Sequence, residues 1–196
     1  MHVGDGQANF NIIDKEIQRD VITHHPIIHA SSLKGALRHF AENAELNEKE
    51  TLVNYVFGKA ESEGKYRFFD GKLLSIPVRS DKKPFFRATC KLIIAELLDL
   101  ARNLQVKLPF GKALNNMMEL EVGKEKPLIF EKLEQVKIED YRPIYKSFAD
   151  IEKLKPLLGD NIVLMDNADF CEIICELPVV ARNKLENGLS KNLWYE

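Results

Sequence analysis

The sequence lacks any apolar run long enough to cross a bilayer. Stretches such as Leu92-Ile93-Ile94-Ala95 are cut short by a charge, here Glu96, far below the ~20 residues that a spanning helix needs. No membrane partner is expected. Met1 is followed by neither a basic opening nor a hydrophobic stretch, so no secretory signal is expected. Cysteine is scarce. Cys90, Cys171 and Cys175 form an odd set without CxxC spacing, from which a reducing, cytoplasmic location is inferred. Glycine and proline, at 10 and 8 in 196 residues, are too few for a disordered or collagen-like chain. An excess of positive charge is missing too. The 28 Lys and Arg are outnumbered by 30 Asp and Glu, which excludes a protein that coats nucleic acid through a wholly basic surface.

What is present is a folded globular composition, 45% hydrophobic, sized for one domain with insertions or two small ones. The charge is uneven. Between Lys65 and Lys91 stand eight cations against only Asp70 and Asp81. Two readings stay open for this segment: a phosphate-tracking groove, or a solvated lysine-rich loop.

Residues 4–30 show neither helical nor strand period and read as a long ordered loop. Ser31-Ser32 offer N-cap hydroxyls ahead of Leu33, Ala36, Leu37 and Phe40, whose spacing predicts a helix over 32–44. Gly64 and Gly71 bracket Tyr66, Phe68 and Phe69, and with the aliphatics of 72–78 they predict a strand pair or one bent strand. Leu92, Ile93, Leu97, Leu98 and Leu100 predict a second helix over 89–103. Glycine and proline then punctuate 107–160, which reads as an insertion with a hairpin and a short helix near 148–158. The fold class expected is α+β, a ferredoxin-like (RRM-like) βαββαβ core in which 1–106 and 161–196 form a palm and 107–160 carries a candidate thumb. Both ends look truncated, since little of a first or a closing strand remains.

Three blocks stand out: His2-x-Gly4-x-Gly6; Ile12-Ile13-Asp14-x-x-Ile17-Gln18-Arg19; and Pro26-x-Ile28-x-x-Ser31-Ser32-Leu33-Lys34-Gly35-x-Leu37-Arg38. Phe68 to Ser80 with Ala88-Thr89-Cys90, Leu177 to Asn183, and Asn192 to Glu196 continue the pattern. Together these strongly resemble the RAMP superfamily of CRISPR effector proteins, and within it the backbone subunits of type III-B (Cmr) complexes. The chain departs from that family at His24, where glycine is usual, and at His29-Ala30, where Pro-Gly is usual.

The resemblance implies a subunit that binds CRISPR RNA, stacks head to tail on copies of itself and joins other CRISPR effector subunits. A thumb displaces one guide-paired nucleotide at regular intervals, and target RNA is cut opposite it. The reaction implied is that of a metal-dependent endoribonuclease using Mg2+ or Mn2+ and leaving a 2′,3′-cyclic phosphate and a 5′-hydroxyl. Asp14 falls on the catalytic aspartate, a carboxylate suited to a hard cation or to orienting the attacking 2′-hydroxyl. His2 is a candidate base or phosphate donor. Tyr195 and Glu196 are candidates for stacking on a base or placing the phosphate. Arg19, Ser31, Ser32, Lys34, Gly35 and Arg38 fall on the RNA-binding segment, with Gly35 permitting close approach. Met117 and Met118 are candidates for the thumb tip, or else an insertion's own small core. His24, His25 and His29 with Cys90 lack zinc-site spacing and read as loop histidines, and Cys171 and Cys175 read as buried helix thiols. Two other readings are a metal-independent CRISPR-RNA processing nuclease and a non-catalytic structural RNA-binding subunit.

Overall fold

The computed structural model describes residues 18–45 and 47–177, together with the backbone of 184–186 and 189–191. The chain divides into two compact units, one comprising Met1–Lys72 with Pro178–Glu196 and the other Leu73–Leu177.

In the first unit β1 (Ile27–Ile28) leads into α1 (Ala30–Asn43) and α2 (Lys49–Phe57). A short hairpin follows, β2 (Gly58–Lys59) with β3 (Ser62–Glu63), and β4 (Gly71–Lys72) returns antiparallel to β1. The first helix begins two residues earlier than its sequence spacing predicts. Ser31 and Ser32 therefore lie inside its first turn, and the cap comes from Asp70, whose Oδ1 accepts the Ala30 N–H at 2.7 Å. Residues 66–69 form no strand among the described residues, so the predicted strands appear only as β4 and, in the second unit, as Ile76–Val78. A second antiparallel hairpin, β10 (Lys184–Glu186) with β11 (Leu189–Lys191), belongs to the same unit.

The second unit is built on a mixed sheet. In chain order it runs β5 (Ile76–Val78), β6 (Phe86–Cys90), α3 (Lys91–Asn103), α4 (Gly111–Met118), β7 (Leu128–Ile129), β8 (Ile144–Tyr145), α5 (Ile151–Leu158), β9 (Ile162–Met165) and α6 (Asn167–Cys175). The strands lie in the order β5-β6-β9-β7-β8. β6/β9 and β7/β8 are parallel, whereas β5/β6 and β7/β9 are antiparallel.

Strand β9 shows how this sheet is held. All four of its residues are apolar and buried, as a strand covered on both faces requires. Val163 and Met165 pack with Phe86, Ala88, Cys90 and Phe170 on one side. Ile162 and Leu164 pack with Leu114, Met117, Leu154 and Leu158 on the other. Residues 107–160 are thus no appended insertion. They supply two strands of the sheet and the helices that cover one of its faces.

Met117 is a correction that follows from this. It is fully buried in the second cluster, so it is not the exposed tip of a wedge, and Met118 packs partly buried against the same cluster. The cysteines are also redistributed. Cys90 is the buried one, and burial pushes its thiol up to about 11; Cys171 is half-buried and Cys175 exposed.

Candidate nucleic-acid interface

Residues 18–29 form the approach to α1. Arg19 pairs with Pro26 in an antiparallel bridge, and its Nη1 donates to His24 O at 2.9 Å. Asp20 Oδ1 accepts from the N–H groups of Thr23 and Ile22, both at 2.9 Å, and these bonds hold its carboxyl below the usual carboxylate range. His24 closes this turn at φ 57°, in the left-handed region that costs a side chain ~1–2 kcal/mol and that glycine enters freely. Histidine at this position therefore holds the turn at the expense of local strain.

The exposed face of α1 carries the residues picked out by the motif. Ser31, Ser32 and Gly35 are exposed, and beyond its chain neighbours and its own helix backbone a Cβ on Gly35 would meet no described residue within 4 Å. Nothing among the described residues explains a glycine here, although glycine inside a helix costs roughly 0.5–1 kcal/mol relative to alanine. Arg38 is occupied inside the chain, with Nε donating to Glu42 Oε1 at 2.8 Å and Nη1 to Gly58 O at 3.2 Å. It ties α1 to the start of β2. Lys34 makes no ion pair among the described residues and turns instead to a cleft.

That cleft depends on two glycines. Gly58, at φ 85°, and Gly64 approach so closely that a Cβ on Gly58 would lie 2.6 Å from the Gly64 nitrogen. The tight hairpin between them brings the Lys65 N–H to Tyr55 O at 2.8 Å, so the next residues run beside α2. Phe68 stacks on Phe57 with centroids 5.4 Å apart, and Tyr66 meets Tyr55 edge-on at 6.1 Å. Ser31 and Lys34 of α1 then line, with Tyr66, Arg67, Phe68 and Phe69, a shallow cleft of about 360 Å³. Tyr66, Arg67 and Phe69 were not singled out by motif, although the alternation Lys65-Tyr66-Arg67-Phe68-Phe69 carried the signal.

The rest of the basic segment lies in the second unit, where much of it is neutralised. The Arg79 guanidinium pairs with Glu139 Oε2 while its backbone N–H donates to Oε1, Lys83 donates to Glu131 and Asn161, and Asp81 accepts from the Lys137 N–H. The Arg87 guanidinium lies over the Phe85 ring at 5.7 Å. These contacts fasten the loop after β7 to the β5–β6 hairpin, so that stretch is structural as much as it is a groove.

His2, Asp14, Tyr195 and Glu196 lie outside the described residues. Among the described residues no three His, Cys, Asp or Glu side chains converge as a metal site, and His24, His25 and His29 form no such group. No helix among them is long and apolar enough to cross a membrane.

The sequence pattern of the RAMP superfamily matches residues 1–167. The chain belongs to the RAMP superfamily. This RAMP chain is 28% identical, over an alignment of 216 positions, to the CRISPR system Cmr endoribonuclease Cmr4 of Pyrococcus furiosus, covering 100% of this chain and 72% of that protein. Its fold is similar to that of oligomeric Cmr4 from Pyrococcus furiosus, with a TM-score of 0.62 at 21% identity over 81% of this chain and 65% of that one. It is also similar to a chain of the type III-B Cmr-beta complex bound to cognate target RNA, with a TM-score of 0.71 at 22% identity over 97% of this chain and 71% of that one. The chain spans about two thirds of the length of the oligomeric relative.

Proposed function

We propose that this RAMP chain is a backbone subunit of a type III CRISPR effector complex, binding CRISPR RNA and cleaving the complementary target RNA at regular intervals. The observation that carries the reading is the identity to a Cmr endoribonuclease along the whole chain. Copies of the chain stack head to tail and join the other effector subunits in this proposal, as the likeness to an oligomeric relative supports.

The palm is read as ferredoxin-like with its strands reordered along the chain. Strands β5, β6, β9 and β7 pair antiparallel, parallel and antiparallel, as the four strands of that fold do, but the edge strand beside β6 comes before it in sequence. The guide backbone runs along α1, where Lys34 supplies charge and Gly35 leaves room for a phosphate or ribose to approach. Asp14 is the catalytic carboxylate of this proposal, with Mg2+ or Mn2+ held by it together with phosphate and water oxygens. His2, Tyr195 and Glu196 are assigned to positioning the reacting phosphate. The products are a 2′,3′-cyclic phosphate and a 5′-hydroxyl.

The test is to assemble the complex, add complementary RNA with and without chelator, and resolve the products by length. A ladder of evenly spaced fragments that vanishes with chelator is the expected result. Cutting of guide precursor that persists in chelator would instead identify a processing nuclease.

Gly35→Ala gives a sharper test of the α1 surface. The substitution should raise unfolding free energy by about 0.5–1 kcal/mol, because it removes a helix-interior glycine that no described residue crowds, and should weaken guide-RNA binding. Urea denaturation and RNA titration read the two effects separately. Equal or tighter RNA binding by the variant would take Gly35 out of the interface.

A further inference from the structure

We propose that the cleft between α1 and residues 66–69 is a subsite for one unstacked nucleotide of a single-stranded RNA, its base lying on Tyr66 or Phe69 and its phosphate held by Lys34 and Arg67. The inference rests on the RNA-binding reading above and adds a site that the motif does not include.

Exposure is the first argument. Tyr66 and Phe69 both line the cleft and are 58% and 55% exposed, so each presents ring surface on which a base can stack. Phe68, between them in sequence, turns inward to stack on Phe57. Tyr66 is also steadied by Tyr55 against its edge, which leaves less rotamer freedom to lose on binding.

Charge is the second. Lys34 and Arg67 line the cleft, and among the described residues no carboxylate does. Asp70 stands nearby, but its Oδ1 accepts the Ala30 N–H. Attraction for a phosphate thus comes from the two cationic side chains, while the Ala30 N–H at the helix terminus is already taken by Asp70. Aromatic faces interleaved with Lys and Arg are the means by which proteins hold single strands, since every base offers a face to stack on and every nucleotide a phosphate. A duplex offers no free base face, so the cleft discriminates strandedness.

The experiment titrates the full chain with a fluorescein-labelled single-stranded RNA of mixed sequence and with the same RNA annealed to its complement. A second strand carries 2-aminopurine, whose fluorescence is quenched by stacking. The variants are Tyr66→Leu and Phe69→Leu, which keep apolar bulk, with Arg67→Gln as an exposed third and Lys82→Ala, outside the cleft, as control. Tyr66→Leu or Phe69→Leu should weaken single-strand binding about tenfold and abolish the quenching, while duplex binding and the control stay unchanged. Arg67→Gln should reduce the salt slope by about one; because it removes no packed ring, it keeps the test decisive if a leucine variant misfolds. Wild-type chain that binds no single-stranded RNA would overturn the RNA-binding reading and this site with it. Wild-type binding that all three cleft variants retain, quenching included, would overturn the subsite alone.

Discussion

Complexes carrying Asp14→Asn should bind target RNA as tightly as the parent and leave it uncut. The expected loss of cutting is at least ~100-fold, the lower end of what a positioned acid–base or cation-holding group contributes. Asparagine keeps the size and polarity of the side chain but removes its charge, so guide binding and assembly are preserved while the reaction loses the group that holds a hard cation or orients the 2′-oxygen. In-line attack needs the 2′-oxygen, the phosphorus and the leaving oxygen aligned, which regular A-form pairing prevents; a displaced nucleotide relaxes that constraint. Gel analysis of labelled target gives the cut fraction, and filter binding gives the affinity. Cutting at the parental rate would remove Asp14 from the site.

The second large effect is on stability. Met117→Ala should lower the unfolding free energy by ~2–5 kcal/mol, the range for truncating a large buried side chain in a packed cluster. Met118→Ala, at a partly buried neighbour, should cost clearly less. Urea unfolding of the two variants beside the parent separates the core role from the wedge that the sequence had suggested. An unchanged unfolding midpoint for Met117→Ala together with lost target cutting would restore the wedge. Within 107–160 the exposed large apolar side chains are Ile144 and Tyr145 on the edge strand β8, with Lys132 over the Tyr145 ring.

The contrast between Met117 and Leu33 shows what the sequence makes legible. Leu33, Ala36, Leu37 and Phe40 repeat at helical spacing without interruption, and α1 appears within two residues of its expected place. Leu92 to Leu100 do the same for α3. In α4 the face formed by Ala113, Leu114 and Met117 is equally regular. It spans only two turns, opens on Gly111 and contains Asn115-Asn116, so punctuation outweighs period. Strand β9 is a bare run of four apolar residues, too short for period to distinguish strand from helix. Its partners lie far away in the chain, and that pairing made 107–160 part of the sheet.

The candidate interface divides along the same line. Lys34 and Gly35 were legible because they sit in a motif. Tyr66 and Phe69 depend on the hairpin between Gly58 and Gly64, whose close backbone contact no local pattern announces. Arg79 and Lys83 looked like groove cations because their partners, Glu139 and Glu131, stand some fifty to sixty residues away.

The parallel pairing of β6 with β9, in register from Arg87 opposite Ile162 to Cys90 opposite Met165, sets the order in which a newly made chain can fold. The β5–β6 hairpin can close as soon as Cys90 is synthesised, but the neighbour that covers its inner edge is made last. At ~5–20 residues per second the delay is on the order of 4–15 s, during which β6 presents unpaired N–H and C=O groups beside apolar side chains. A nascent chain in that state is a substrate for holding chaperones and for wrong pairing with a sister chain. Slower translation between α3 and β9 would therefore lower the soluble yield of this protein, while pauses after Met165 would not.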